Sequence, residues 1–125
     1  MKELMMKECP HCHSLVRIWK ECNCKDATFS CCGEAMKEVN ANATDASFEK
    51  HVPIYEVKGN KIKVKVNHVM EENHYIEWIG IFAKNEEHIF YFHPNEVAEV
   101  EFPYIENATL YAYCNLHGLW KADIK

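Results

Sequence analysis

The sequence predicts a mainly β protein in two parts, a small cysteine-rich metal-binding domain followed by an antiparallel β-sandwich. Six of the seven cysteines lie within the first 32 residues, whereas short alternating or β-branched segments fill the chain from residue 48 onward. No stretch shows the sustained apolar period of an amphipathic helix. Short strands separated by frequent turn signals are typical of a sandwich. We therefore predict a metal domain at residues 1–38, a small polar linker at 39–47 and the sandwich at 48–125.

The cysteines of the first part have a spacing suited to one metal ion. Cys9 and Cys12 form a C-x-x-C pair, and Cys31 and Cys32 follow about twenty residues later. A C-x-x-C loop directs two thiolates into one site, and four thiolates in a tetrahedron suit zinc or iron. The spacing leaves both metals open. Because the side chains of adjacent residues diverge, we expect an opened S–metal–S angle at Cys31 and Cys32.

Cys22 and Cys24 complicate the choice of ligands. They lie in the polar, turn-like stretch "ECNCKD" between the two cysteine pairs. They could replace one pair as ligands, stay as free thiols, or serve a redox role. We expect them to be spectators of the metal site.

The strands of the second part follow from alternation and composition. The segment "KIKVKVNH" places Ile62, Val64, Val66 and His68 on one face of a strand, with lysines opposite. The β-branched and aromatic segments "HYIEWIGIF", "HIFYF", "EVEF" and "LYAYC" come next. Turn residues between these segments predict turns at 58–60, 84–87, 93–95 and 106–107.

The second part also offers soft metal ligands. His51, His68 and His74 precede the C-terminal segment "YCNLHG", which contributes Cys114 and His117. His68 continues the apolar face of its strand, and Cys114 shares a strand face with apolar neighbours. A buried imidazole needs a polar partner or a metal. The pattern suggests a metal site, but the spacing does not select its four or five ligands.

Composition makes several partners and locations poor candidates. The formal net charge is −5 and no long basic run occurs, so nucleic acid and anionic membrane surfaces are unsuitable partners. The N-terminus lacks the apolar stretch of a signal peptide, and no run is long enough to span a bilayer. We expect a soluble cytoplasmic protein, in which clustered cysteines bind metal rather than form disulfides.

Several separate blocks of the chain resemble one family. "EKHVP" at 49–53, "HVMEENHYIEWI" at 68–79 and "YCNLHGLWKA" at 113–122 resemble the desulfoferrodoxin family of superoxide reductases. "CPHC" at 9–12 and "CCGEAMK" at 31–37 resemble the desulforedoxin-like domain of that family's two-iron class. The blocks occur in the family's order over nearly the whole chain.

The resemblance implies a fold and an activity. It implies a desulforedoxin-like domain followed by an immunoglobulin-like antiparallel β-sandwich. It implies an enzyme that reduces superoxide by one electron to hydrogen peroxide. It further implies a rubredoxin-like electron donor and a homodimer.

The resemblance also implies the site residues. In the first domain, iron, with zinc as the alternative metal, would be bound by Cys9, Cys12, Cys31 and Cys32. In the second, a mononuclear iron would have Cys114 as its axial ligand and four equatorial histidines, His51, His68, His74 and His117. Glu49 and Lys50 match the family's catalytic loop beside the open sixth position. Lys50 would steer superoxide and order a proton-donating water, and Glu49 would occupy the sixth position after turnover.

Two other functions remain open on the sequence. The main alternative is a non-catalytic electron carrier or metal-stabilised binding module, in which the sandwich histidines are ordinary core residues. That alternative predicts one metal per chain and no peroxide production. Superoxide dismutation is a third possibility, which a strongly donating thiolate disfavours by stabilising ferric iron.

Overall fold

The computed structural model describes residues 4–24 and 28–125 and confirms a mainly β protein. Within these ranges all strand pairs are antiparallel. The chain forms two compact units, one ending at Asn40 and the other covering Ala41–Lys125. None of the helices in the described ranges is long and apolar enough to cross a membrane.

The first unit is a small sheet with a hairpin that carries cysteines. Strand β1 (Met6–Glu8) pairs with β2 (Leu15–Arg17) and β5 (Lys37–Glu38). Strands β3 (Ser30–Cys31) and β4 (Glu34–Ala35) form a hairpin. Its two-residue loop, Cys32 and Gly33, has positive φ at both positions, 55° and 75°. Positive φ at both loop residues is the mark of a tight type I′ turn.

The second unit is a seven-stranded sandwich. Its strands are β6 (Ile54–Lys58), β7 (Lys61–Lys65), β8 (Ile76–Phe82), β9 (Glu87–Tyr91), β10 (Glu99–Pro103), β11 (Thr109–Cys114) and β12 (Gly118–Asp123). One sheet has the order β10-β7-β6 and the other β12-β11-β8-β9. Two antiparallel sheets of three and four strands are the arrangement of an immunoglobulin-like sandwich. Strands β7 to β11 lie on the predicted segments, whereas β6 and β12 were not predicted.

Alternate residues of the strands build the core of the sandwich. On β7, Ile62 and Val64 are fully buried between exposed lysines. They share one apolar cluster with Ile79 of β8 and with Leu110 and Ala112 of β11. Cys114, the last residue of β11, belongs to the same cluster, which confirms its predicted inward direction. Burial of each large aliphatic side chain contributes about 1.5–3 kcal/mol.

The structure corrects the placement of His68. Strand β7 ends at Lys65, where its ladder to β10 also ends, and residues 66–70 have no regular secondary structure. The His68 amide donates to the Val66 carbonyl at 2.9 Å, so the chain turns locally before the histidine. The expectation that His68 continues the strand face was wrong. A turn, rather than the pleat of the strand, positions this side chain.

A bulge in β8 lies opposite Cys114. Tyr113 pairs with Trp78, but Cys114 pairs with Ile76, so Glu77 is an extra residue in β8. A bulge bends its strand and redirects side chains. It lies beside the position where β11 delivers Cys114.

Candidate metal centres

Four histidines and one cysteine converge at one end of the sandwich. The start of β8, the end of β11 and the turn before β12 meet there because these strands are antiparallel. The ligand atoms of the five residues all lie within 4.8 Å of one another. The group consists of His51, His68, His74, Cys114 and His117. Five separate positions of the sequence thus form one cluster, hereafter the His–Cys cluster.

The four imidazoles form a closed ring. Successive ring centroids lie 4.7 Å apart for His51 and His68, 4.5 Å for His68 and His74, 5.0 Å for His74 and His117, and 4.9 Å for His117 and His51. Each neighbouring pair meets edge to face, with interplanar angles of 69° to 90°. Four rings at nearly equal spacing surround a common centre.

Backbone carbonyls fix which nitrogen of two histidines faces that centre. Nδ1 of His51 donates to the Ser47 carbonyl at 2.7 Å, and Nδ1 of His68 donates to the Val69 carbonyl. In the neutral ring, each Nε2 therefore carries no proton, and its lone pair is available to bind a metal ion. Nε2 of His51 lies 3.1 Å from Nδ1 of His117. In a metal complex, His51 and His68 would therefore present Nε2 to the ion, and His117 would present Nδ1.

His74 supplies an independent indication of a metal. Its Nε2 is buried and has no hydrogen-bond partner among the described residues. A buried polar atom without a partner costs roughly 1–3 kcal/mol. A metal ion bound by this nitrogen would remove that cost. Metal–imidazole bonds of about 2.1 Å would separate adjacent nitrogens by roughly 3 Å, close to the spacing of His51 and His117.

Cys114 completes the donor set. Its Sγ lies 3.4 Å from Nε2 of His68 and 3.9 Å from Nδ1 of His117. The His117 amide donates to the sulfur at 3.4 Å. Burial raises the pKa of the thiol, and hydrogen bonds from the Leu116 and His117 amides oppose that rise. A bound cation would therefore stabilise the buried thiolate, as metal binding normally does.

Burial also favours the neutral form of two of the histidines, His51 and His68. It lowers the pKa of His51, and it lowers the pKa of His68 to about 4. The neighbouring imidazoles of the ring lower both values further by charge repulsion. Neutral imidazoles bind metals, so these rings are in the ligand form at neutral pH.

Asn115, which the sequence did not indicate as a functional residue, helps to hold the cluster in place. Asn115 accepts a hydrogen bond from the Tyr75 amide and donates one to the Asn73 carbonyl, both at 3.0 Å. It thereby ties the segment around His74 to the turn between β11 and β12. The signal available in the sequence was its position directly after Cys114.

Trp120 supports the opposite side of the ring. Its indole stacks on His51 at a centroid distance of 4.7 Å and an interplanar angle of 25°. Its Nε1 donates to the His117 carbonyl at 3.1 Å, and the residue is fully buried. One side chain of β12 thus contacts two residues of the His–Cys cluster.

Glu49 and Lys50 directly precede His51 of the cluster in the sequence. Both are exposed and occupy a single 3-10 turn, Phe48–Lys50, that ends next to His51. The positive charge of Lys50 contributes to lowering the pKa of His51. Lys50 and His68 also border one surface cavity of about 440 Å³. The Lys50 side chain thus lies near the cluster, at a cavity that it shares with His68.

The first unit brings four sulfurs together. The ligand atoms of Cys9, Cys12, Cys31 and Cys32 lie within 4.8 Å of one another, and Cys22 and Cys24 are not in this set. Cys31 Sγ lies 3.5 Å from Cys12 Sγ and 3.9 Å from Cys32 Sγ. A tetrahedron with metal–sulfur bonds of about 2.3 Å separates its sulfurs by about 3.8 Å. The four thiols therefore fit a tetrahedral metal ion.

Local hydrogen bonds influence the protonation of these sulfurs. The amides of His11 and Cys12 both donate to Cys9 Sγ at 3.4 Å. Hydrogen bonds from Ser14 are the main cause that lowers the pKa of Cys12 to about 6. Hydrogen bonding to its neighbour Cys12 is the main cause that raises the pKa of Cys31 to about 12. One thiolate is therefore available at neutral pH, and a metal would displace the protons of the others.

A cluster of four cysteines and a cluster of four histidines with one cysteine are ligand sets typical of a non-haem metalloprotein. The family model described as desulfoferrodoxin matches residues 43–123. The desulfoferrodoxin of Nitratidesulfovibrio vulgaris is 37% identical over 120 residues, which cover 93% of each chain. A desulfoferrodoxin homolog of Archaeoglobus fulgidus is 43% identical over 96 residues, 74% of this chain and 77% of that protein. This chain belongs to the desulfoferrodoxin family.

A solved structure extends the likeness to the whole fold. The superoxide reductase from Treponema pallidum superposes with a TM-score of 0.71 at 28% identity. The match covers 97% of this chain and 99% of that one. The similarity therefore includes both units, whereas the family model matches only residues within the second.

Proposed function

We propose that this chain is a superoxide reductase. The reaction converts superoxide, one electron and two protons into hydrogen peroxide. The observation that carries the proposal is the closed ring of four histidines with Cys114 Sγ close to two of their nitrogens. Membership of the desulfoferrodoxin family supports the same reaction.

The His–Cys cluster is proposed to hold one iron ion, with nitrogens of His51, His68, His74 and His117 and the sulfur of Cys114 as ligands. When bound, ferrous iron supplies the electron for superoxide. Cys114 contributes a thiolate that donates electron density, the effect that thiolate ligands have in haem enzymes. The neutral histidines add no negative charge, so the site stays attractive to an anion.

Residues of the exposed turn are proposed to bring in the substrate and protons. Lys50 places a positive charge beside the cluster and attracts superoxide. It also orders a water molecule that delivers protons from solvent. Glu49, one residue earlier, is proposed to supply a carboxylate to the open position after turnover. The exposure of both side chains supports these roles, since the reaction needs access to water.

The four-thiolate cluster is proposed to hold iron, with zinc as the alternative metal. Its sulfur spacing fits either ion. Iron would allow the cluster to relay electrons, whereas zinc would restrict it to stabilising the first unit. A rubredoxin-like donor, a homodimer and a cytoplasmic location are further proposals that follow from the family.

A metal-stabilised binding module remains the alternative to be tested. In that case the histidines of the sandwich would be ordinary core residues with hydrogen-bond partners. Against this alternative, the buried Nε2 of His74 has no hydrogen-bond partner in the part of the chain that the structure describes. The close approach of five potential ligands argues against it as well.

The test is superoxide decay with iron-loaded protein and two ligand variants. Cys114→Ser and His74→Ala should abolish reduction while the metal of the first unit remains. His88→Ala is the matched control because His88 is a partly exposed histidine paired with Glu86 outside the cluster. Peroxide yield separates the reactions, since a reductase forms one peroxide for each superoxide and a dismutase one for every two. Full activity in either ligand variant would contradict the proposal.

A further inference from the structure

Cys22 and Cys24 form a thiol pair separate from both proposed metal sites. Both side chains are exposed, and neither belongs to the two groups of converging ligands. The Cys24 amide donates to Cys22 Sγ at 3.3 Å. Hydrogen bonding from Cys24, chiefly from its backbone, lowers the pKa of Cys22. Cys22 is therefore the sulfur that is stabilised as a thiolate, and Cys24 follows it two residues later.

A cavity gives small molecules access to this pair. It has a volume of about 270 Å³, and its wall includes Cys22, Cys24, Met5, Ile18 and Phe29. One cation, Lys7, and two carboxylates, Glu21 and Glu38, also line this cavity. Solvent access and a hydrogen bond that stabilises the thiolate both favour reaction of Cys22 with a small oxidant.

We propose that Cys22 and Cys24 are a redox-active dithiol that hydrogen peroxide oxidises to an intramolecular disulfide. Cys22 thiolate attacks one peroxide oxygen, the O–O bond breaks, and Cys22 becomes a sulfenic acid as the first water forms. Cys24 thiolate then attacks the Cys22 sulfur, the S–O bond breaks, and the second water leaves. Two thiols and one peroxide thus give one disulfide and two waters.

The link to the enzyme rests on the proposed function, because superoxide reduction would release peroxide from the same chain. The chemistry of the thiol pair does not depend on that source. Added peroxide therefore tests the pair alone, and superoxide decay tests the proposed function alone. Failure of one leaves the other unaffected.

The sequence provides a direct readout of the pair. Trypsin cleavage after Lys20 and Lys25 releases the pentapeptide ECNCK, whose cysteines are Cys22 and Cys24. The metal-loaded full chain is treated with stoichiometric peroxide, blocked with a thiol reagent, digested and weighed. We expect the wild-type pentapeptide to lose the mass of two hydrogens and to escape blocking. A pentapeptide that stays reduced, or that is linked to another chain, would overturn the proposal.

Single variants identify the attacking sulfur. Cys24→Ser should stop at a Cys22 sulfenic acid that a dimedone probe captures. Cys22→Ser should react roughly tenfold more slowly, because it removes the sulfur that accepts the Cys24 amide hydrogen bond. Equal rates in the two variants would overturn the assigned order of attack. The double variant, Cys22→Ser with Cys24→Ser, should keep the wild-type rate of superoxide decay.

Discussion

Removing the Asn115 side chain should loosen the segment that carries His74. Asn115→Ala deletes the hydrogen bonds to the Tyr75 amide and the Asn73 carbonyl. Each contributes roughly 0.5–1.5 kcal/mol, so the free energy of unfolding should fall by roughly 1–3 kcal/mol. For a unit of this size that corresponds to a fall in Tm of roughly 5–20 °C. Iron affinity should fall by roughly tenfold, because the variant removes support around a ligand.

Two further variants make this prediction specific. Asn115→Asp keeps the acceptor for Tyr75 and loses the donor to Asn73, so it should lie between the alanine variant and the wild type. Leu116→Ala is the matched control, since Leu116 is an exposed side chain in the same turn. The measurements are thermal unfolding with and without iron, and iron retention against a chelator. The reasoning is refuted if Asn115→Ala matches Leu116→Ala in both measurements.

Three other perturbations test separate parts of the molecule. Trp120→Phe keeps an aromatic ring on His51 but removes the hydrogen-bond donor to the His117 carbonyl. We expect the free energy of unfolding to fall by about 2–4 kcal/mol and iron to be released faster. Denaturant unfolding measures the first effect, and iron loss to a chelator measures the second. Lys50→Ala should slow the encounter with superoxide and weaken its dependence on ionic strength, whereas Lys50→Arg should keep both; stopped-flow kinetics at several salt concentrations measure this. Burial raises the pKa of Glu77, so the folded state holds this proton more tightly than the unfolded state. The stability that the protonated carboxyl provides is therefore lost as pH rises through the raised pKa. Glu77→Gln should therefore gain stability relative to the wild type between about pH 4 and neutrality, measured by denaturant unfolding.

Each of these expectations has a contrary outcome. Trp120→Phe with unchanged iron release would show that the indole donor does not support His117. Encounter kinetics in Lys50→Ala that keep the wild-type salt dependence would remove the steering role. A Glu77→Gln variant that is less stable than the wild type at neutral pH would show that the half-buried carboxylate has a favourable partner.

The strands of the sandwich could be predicted because their patterns are local. The alternation of Ile62 and Val64 with lysines fixes which face of β7 is buried, and the structure confirms it. Strand β12 was missed because Leu119 and Trp120 are adjacent and both buried, which interrupts the period of two. Its partner, β11, supplies the context that the local pattern lacks.

The residue pattern of the sequence suggested a His–Cys cluster, but it did not show which residues lie close together in the fold. Cys114 was placed correctly because it shares a face with the buried residues of β11. His68 was placed on a strand that ends three residues earlier, since the end of pairing with β10 depends on tertiary structure. The supporting contacts of Asn115 and Trp120 join distant segments, so no spacing rule reveals them. The predicted domain limits at 38 and 48 remain predictions. Within the predicted linker, the Asn42 side chain forms two hydrogen bonds with the Lys121 backbone in β12.

Metal content and absorption of the wild type and Cys114→Ser test the central claim most directly. The two ligand clusters predict two metal ions per chain in the iron-reconstituted wild type. Cys114→Ser should lose the sulfur-to-iron absorption of the His–Cys cluster and keep that of the four-thiolate cluster. A single metal ion per chain, retained in Cys114→Ser and not increased by iron reconstitution, would contradict the account.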